Sequence, residues 1–298
     1  MKLIGLKELE DFKDNSIITI GFFDGVHLGH QKIINKMKEY PQYKSVVITF
    51  EDDVLKMFKI SDCIYDLSKK LSCFEMMGID YVLLLRLSDN FQSMDARSFM
   101  VNVLDKLNTK VVVAGSDFSF AKNRQGNADY IKNNSDYKLI MVDDVYVDNI
   151  KVSSTLIRSL LNDGNIPFAN RLLFSKLSLS SKVIEGKRIG RTINFPTINL
   201  VADSMIIMLR KGVYFGRTLV DNKSYYSIIN VGFNPTIDDT NELSIEAHLI
   251  GFDANIYGKD VTVEFDYFSR DEKRFDNIES LKKMISQDLL NCKGYYGI

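Results

Sequence analysis

Residues 17–34, IITIGFFDGVHLGHQKII, decide how the first half of the chain is read. Ile17–Ile20 is a short β-branched run that suits a strand. Gly21-Phe22-Phe23-Asp24-Gly25 follows as a turn, and a helix is expected to start at about His27. Strand, glycine turn and helix start together leave free backbone N–H groups and a positive dipole end facing an anion. Gly21 and Gly25 lack a Cβ, so a ligand can approach the main chain closely. His27 and His30 are three residues apart and share a helical face. Two imidazoles there can hydrogen-bond a phosphate as its charge redistributes during a displacement. The same pattern also fits a plain βα turn with two half-buried histidines. The chain has only three histidines, which makes their pairing by chance less attractive. A zinc shell would need further Cys or His ligands, and the neighbouring sequence has none.

The 298 residues suffice for one large domain or two ordinary ones. Hydrophobic and charged contents of 45% and 26% are those of a globular protein. A net charge of −1, with neither sign segregated along the chain, argues against a general nucleic-acid binder. No apolar run reaches membrane-spanning length, and MKLIGLKELEDF at the start is unlike a signal peptide. Neither nucleic acid nor a membrane is expected as a partner. Cys63, Cys73 and Cys292 are odd in number and outside CxxC spacing, so reduced thiols in a cytoplasmic protein are expected.

Through residue 174, strand-like and helix-like segments alternate. Strands are expected at 17–20, 45–50, 81–85, 110–114 and 138–142, and helices at 30–40, 67–77, 96–107, 128–133 and 154–162. That order predicts a parallel sheet covered by helices, with ligands outside the carboxyl ends of strands. Two further segments follow such ends. Val113 to Gly126, VAGSDFSFAKNRQG, leaves a Val-rich strand as a polar, glycine-bearing loop, and alone it reads as an ordinary surface loop. Ser153, Ser154 and Thr155 suit a helix cap, and Arg158, one turn on, can pair bidentately with a phosphate.

The string GFFDGVHLGHQ resembles the HxGH nucleotidyltransferase superfamily, in particular the adenylyltransferase module of prokaryotic FAD synthetases. The second segment is similar to that module's GxDFxFGxxxxG: Gly115, Asp117, Phe118, Phe120 and Gly126 match, and Ala121 replaces a glycine. The third, SSTLIR, is similar to its SSTxIR signature. The resemblance implies a Rossmann-like fold and ATP binding by Gly21, Phe22, Phe23, Asp24, Gly25, His27, His30, Gly115, Asp117, Ser153, Ser154, Thr155 and Arg158. It further implies that the FMN phosphate attacks the α-phosphorus of ATP in line and pyrophosphate leaves. His27 and His30 would stabilise the α-phosphate charge, Ser154, Thr155 and Arg158 would hold the β/γ end, and Mg²⁺ would accompany the nucleotide. One departure stands out. Where the family shows Pro-His-Pro after the second strand, this chain has the acids Glu51-Asp52-Asp53 near the expected place of the flavin phosphate.

After Phe174 the pattern changes to strands without intervening helices, expected at 176–184, 212–220, 225–231, 243–249 and 260–268. This spacing suggests a small antiparallel, Greek-key-like barrel, closed by an amphipathic helix from Ile278 to about Asn291. The expected fold is thus α/β plus β, with domains 1–174 and 175–298. No Walker A sequence occurs, so a P-loop kinase is excluded by motif. Residues 186–199, GKRIGRTINFPTIN, read locally as a barrel loop with a proline-set turn. The string nevertheless resembles the GxxxGR loop and PTxN motif of the riboflavin kinase module. By that resemblance Gly186, Lys187, Gly190 and Arg191 belong to a loop over the nucleotide, and Thr197 and Asn199 supply oxygens to Mg²⁺ and ATP. Glu246, in the strand SIEAHL, matches the general base that takes the ribityl 5′-hydroxyl proton. His248, on the same face, is assigned no chemistry. Asn230 to Thr236 resembles the family's NxGxxPT turn, and Arg270, Glu272 and Phe275 resemble its flavin-lid residues. The two resemblances occur in the order of a bifunctional flavin-synthesising family, which implies riboflavin, FMN, FAD and ATP as partners. The rivals are a chain whose first module is impaired or takes another acceptor, and a flavin-sensing regulator on a retired fold.

Overall fold

The computed structural model describes every residue except 58–62, 187–194, 202–208, 234–242, 274 and 276; the side chains of 55–57, 201, 233 and 243 are also left undescribed. Lys187, Gly190, Arg191 and the second half of the NxGxxPT string therefore lie outside the described residues. By contacts the chain divides into two units: Met1–Leu156 with Leu172–Phe174, and Ile157–Arg171 with Ser175–Ile298.

The first unit is built on a parallel sheet. Its strands are β1 (Lys2–Ile4), β2 (Ser16–Ile20), β3 (Lys44–Phe50), β4 (Tyr81–Leu85) and β5 (Thr109–Ala114); after the two-residue ribbon β6 (Ser119–Phe120) and β7 (Gly126–Asn127) comes β8 (Lys138–Met141). The order across the sheet is β1-β4-β3-β2-β5-β8, with every pairing parallel. All five residues of β2 are buried, as a central parallel strand covered on both faces requires. The chain winds from β2 towards β3 and β4 on one side and towards β5 and β8 on the other. The crevice at the carboxyl ends of β2 and β5 is therefore the topological switch point, where open α/β sheets bind ligands.

Helices α1 (Leu28–Met37), α2 (Asp52–Met57), α3 (Leu67–Met76), α4 (Ala96–Phe99) and α5 (Ala128–Asn134) cover the sheet, and β9 (Tyr146–Val147) with β10 (Ile150–Lys151) forms a small hairpin before α6 (Ser154–Asn162) and α7 (Ile166–Leu172). The helix expected over 96–107 is α-helical only to Phe99 and continues as a π-helical turn, Met100–Leu104. Helix α3 shows why its ends fall where they do. The Asp66 carboxylate accepts from Lys69 N at 2.6 Å, and Gly78, at φ +75, follows its last turn.

The second unit is a closed six-stranded antiparallel barrel. Its strands β11 (Ser178–Ile184), β12 (Ile198–Val201), β13 (Gly212–Val220), β14 (Lys223–Phe233), β15 (Leu243–Leu249) and β16 (Asp260–Asp271) close in the order β11-β12-β15-β14-β13-β16. Sequence periodicity gave five of these. Strand β12 was expected only as the end of a loop. Tyr214, fully buried, packs edge-on against Phe265 and Phe268 at 5.4 and 5.1 Å. On another face Val213, Phe215 and Ile228 meet Cys292 of the terminal helix α8 (Ile278–Tyr296), which runs five residues beyond its expected end. The segment Ile157–Arg171 is tied to the barrel. Asn170 donates to Phe265 O at 2.8 Å and accepts from Leu177 N at 2.8 Å, and Arg210 donates to Asp163 O at 3.2 Å.

Candidate active sites

The turn after β2 is tightly folded. Phe23, Gly25 and Val26 all have positive φ, at +52, +76 and +41°. For the β-branched Val26 this is a strained conformation, of the kind that persists only where surrounding packing imposes it. The packing is visible. Phe23 is 2% exposed and lies against His30 and Phe74 at ring distances of 5.0 and 5.6 Å. A Cβ on Gly25 would come within 2.9 Å of Leu173 and 3.2 Å of Ile64. Asp24 is buried and accepts from Ile64 N and Tyr65 N at 2.9 and 3.3 Å. Asp24 thus anchors the turn from below.

His27 occupies the N-cap position of α1, and its ring stacks on that of His30 at 3.7 Å with 20° between planes. Gly29 makes that placement possible, since a Cβ there would stand 3.1 Å from the His27 ring. Burial lowers the His27 pKa to about 4, with the nearby Asp117 carboxylate pulling the other way. Burial also lowers that of His30, helped by the neighbouring His27 and Lys70 charges. At neutral pH both rings are uncharged donors. The Nδ1 atoms of both are buried without a hydrogen-bond partner among the described residues, the state expected of groups that await a ligand.

The other two segments converge on this turn. Ser154 Oγ donates to Asp24 O at 3.0 Å, and Ser153 Oγ caps α6 by accepting from Leu156 N at 3.1 Å. Thr155 is exposed beside them, and Arg158 lies one turn on in α6. Gly115 and the exposed Asp117 follow β5, close enough for Asp117 to influence His27. Gly126 answers to packing rather than to a ligand: a Cβ there would lie 2.4 Å from the Phe120 ring. Ala121, which stands where the family has glycine, adopts φ +63 and ψ 179, a region that is essentially glycine's own.

The acidic loop is partly neutralised. Glu51 pairs with Arg86 at 3.2 Å, and Asp52 and Asp53 sit in the first turn of α2, where the helix dipole favours them. Beneath the turn lies a residue that the motifs did not flag. Lys70 is 2% exposed, and its Nζ donates to Phe22 O at 3.3 Å. Its only sequence signal is a lysine on the apolar stripe Leu67, Leu71, Phe74.

In the barrel, pairing register assembles the second site. Asn199 on β12 is directly opposite Glu246 on β15, and Glu246 is directly opposite Asn230 on β14. Opposed residues of antiparallel strands point to one face, so the three side chains form a row. Ile245 and Ala247, which alternate with Glu246, are 1% and 0% exposed and point the other way. Gly186 lies against this row, since a Cβ on it would be 2.2 Å from Asn199 Nδ2. Thr197 is half-buried two residues before Asn199. His248 Nδ1 meets Pro196 O at 2.8 Å and its ring lies 5.6 Å from Phe195, so it holds the entry to β12. Glu272 reaches Gly232, two residues beyond Asn230, and Phe275 is half-buried. Arg270 is committed elsewhere: its guanidinium makes a bidentate pair with the buried Asp288 of α8 at 2.9 and 2.6 Å. Asn230 completes the row, although its string was noted without assigning it a role.

Comparison with known proteins matches both units. The FAD synthetase family model covers residues 9–156 and the riboflavin kinase model covers 173–296. A bifunctional riboflavin kinase/FMN adenylyltransferase from Buchnera aphidicola subsp. Acyrthosiphon pisum is 34% identical over the whole of this chain and 99% of its own. The chain belongs to the bifunctional riboflavin kinase/FMN adenylyltransferase family. The member from Escherichia coli K12 is 30% identical, again over 100% of this chain and 99% of the relative. A Streptococcus pneumoniae crystal structure described as a macrolide-efflux protein superposes with a TM-score of 0.87 at 29% identity, covering 98% of this chain and 99% of that one. Among the described residues of this family member, no helix is long and apolar enough to cross a membrane.

Proposed function

We propose that this chain phosphorylates riboflavin to FMN at the barrel and adenylylates FMN to FAD at the histidine turn, releasing pyrophosphate. The observation that carries the reading is the pairing of two separate polar constellations, each on its own fold. One is the stacked, uncharged His27–His30 pair at the switch point of a parallel sheet. The other is the Asn199–Glu246–Asn230 row of the barrel. In adenylyl transfer His27 and His30 donate to the α-phosphate as its charge grows, while Ser154, Thr155 and Arg158 hold the β/γ end. Gly21, Gly25 and Gly115 let the nucleotide approach the main chain, and Asp117 faces His27. In the kinase Glu246 takes the hydroxyl proton as the oxygen attacks the γ-phosphate.

Mg²⁺ would be held at Thr197 and Asn199, whose neutral oxygens suit a hard cation that takes its remaining ligands from phosphates and water. Bound there, it would offset phosphate charge. Gly186 lies against Asn199, and Lys187, Gly190 and Arg191 would complete the nucleotide loop. Glu272 and Phe275 are proposed flavin contacts, and Arg270 would act through the β16–α8 join. The functional division would fall near residue 174, where the riboflavin kinase match has just begun at 173 and the FAD synthetase match has already ended at 156. The three cysteines are buried and joined by no disulfide, which supports a reducing, cytoplasmic setting.

The test is a chromatographic time course of the purified chain with riboflavin, ATP and Mg²⁺, beside a second tube that starts from FMN. FMN followed by FAD is the expected result. FMN accumulating without FAD would mark an adenylyltransferase unit that has failed or takes another acceptor. No product in either tube would overturn the reading and favour a flavin-sensing protein.

A further inference from the structure

Among the described residues, Lys70 is the buried cation near the histidine turn that the proposed chemistry does not use. It lies on the core side of α3 and is 2% exposed, and Nζ is held 3.3 Å from the Phe22 carbonyl. Phe22 is the residue immediately before the strained Phe23–Val26 segment, so this hydrogen bond grips the turn at its entry. A lysine is seldom fully buried unless paired, and desolvating an ammonium is costly. Such a placement persists where the charge has a task. Resting on the adenylyltransferase reading above, we propose that Lys70 is a positioning residue for adenylyl transfer, holding the Phe22–Val26 turn so that His27 and His30 present uncharged, stacked rings to the phosphate.

The surroundings agree with this role. From the turn comes Asp24, from the start of α2 Asp52, from the chain before α3 Cys63, and from the α3 cap Asp66; each favours the charged ammonium, against the larger effect of burial. On the other side stands His30, on which Lys70 acts as a like charge that disfavours protonation. One cation thus counterbalances Asp24 beneath the turn and Asp52 in the acidic loop, and adds to the burial that disfavours protonation of His30. Asp52 belongs to the acidic Glu51–Asp53 run, so Lys70 also sets a positive charge against that loop.

The experiment uses the full chain and the variants Lys70→Met and Lys70→Arg. The first readout is NMR titration of histidines, of which the chain has only three. The second is conversion of FMN to FAD, with riboflavin phosphorylation by the same preparation as a control for folding. Lys70→Met is expected to raise the His30 pKa and to shift the acid limb of FAD formation to higher pH. It should also lower kcat by about tenfold or more, with phosphorylation held within about twofold. Lys70→Arg, which keeps the charge, should restore the acid limb. An unmoved His30 titration, or FAD formation by Lys70→Met equal to the parent, would overturn the proposal. If Lys70→Met does not fold, Lys70→Arg decides: a charge-retaining variant with a displaced acid limb would equally overturn it. A parent chain that makes no FAD from FMN would instead remove the reading beneath it, and the titration would still report whether Lys70 controls the histidines.

Discussion

Two residues at the proposed adenylyltransferase site occupy costly environments of different kinds. Burial pushes the pKa of folded His27 down to about 4, against about 6.5 when unfolded. Between those values the unfolded chain binds more protons, so stability falls as pH drops through the window. The contribution is complete above the unfolded pKa and is lost on the way down to the folded one. The loss attributable to His27 is at most about 3 kcal/mol. Urea unfolding between pH 7 and pH 4 should therefore slope downward towards acid, and His27→Asn should flatten that slope. An unchanged slope would contradict the buried, neutral ring. Ala121 is the second case. At φ +63 and ψ 179 its Cβ is strained, and Ala121→Gly should raise stability by about 1 kcal/mol in spite of glycine's greater unfolded freedom. Thermal melting would show a higher midpoint; a lower one would mean that the lost methyl packing outweighs the strain. Sequence flagged Ala121 as a departure, but only the backbone shows why glycine is the easier residue there. Gly29 was visible as the spacer between two histidines. Its contact with the His27 ring was not, because that depends on the imidazole folding back over its own helix turn.

At the scale of elements, the join between β16 and α8 rests on a bidentate ion pair. Arg270 is 20% exposed at its side chain and Asp288 is 4% exposed. Removing one partner of a nearly buried pair leaves the other desolvated and alone, which is more damaging than removing both. Arg270→Ala should therefore lower stability by about 3 kcal/mol, whereas Arg270→Met with Asp288→Leu should recover most of it. A single variant as stable as the parent would show that the pair is not what fastens α8. The main strands and helices were legible because their apolar residues repeat at two or near four. Three kinds of element were not. Strand β1 has three residues, too few for any period, and its partner β4 lies far along the chain. Strand β12 follows Pro196 and hides in a motif that reads as a loop. The π-helical turn at Met100–Leu104 keeps a helical apolar pattern while changing its hydrogen bonds. The Asn199–Glu246–Asn230 row was half-legible. Each residue sat in a recognisable string, but adjacency across strands follows from register, which is fixed by the barrel's closure.

At the scale of the whole molecule, composition and the change of periodicity after Phe174 indicated two units, but not which of them holds the connecting helices. Ile157–Arg171 bonds to the barrel through Asn170 and Asp163, and Gly164 sits against Phe268. A fragment of residues 157–298 should consequently fold and phosphorylate riboflavin, and should melt at a higher temperature than residues 175–298. Equal melting of the two fragments would show that the connecting helices add nothing to the barrel. The alternation along β15 reaches further. Ile245 and Ala247 are buried, while Glu246, opposite Asn199 and Asn230, and His248, against Pro196, stand on the other face. Natural variation along this strand should thus run on two clocks. Odd positions drift among residues of similar bulk, at the pace that packing allows. Position 246 would be held by its proposed chemistry whatever its bulk, so the barrel can be thoroughly repacked over evolutionary time without its catalyst changing hands.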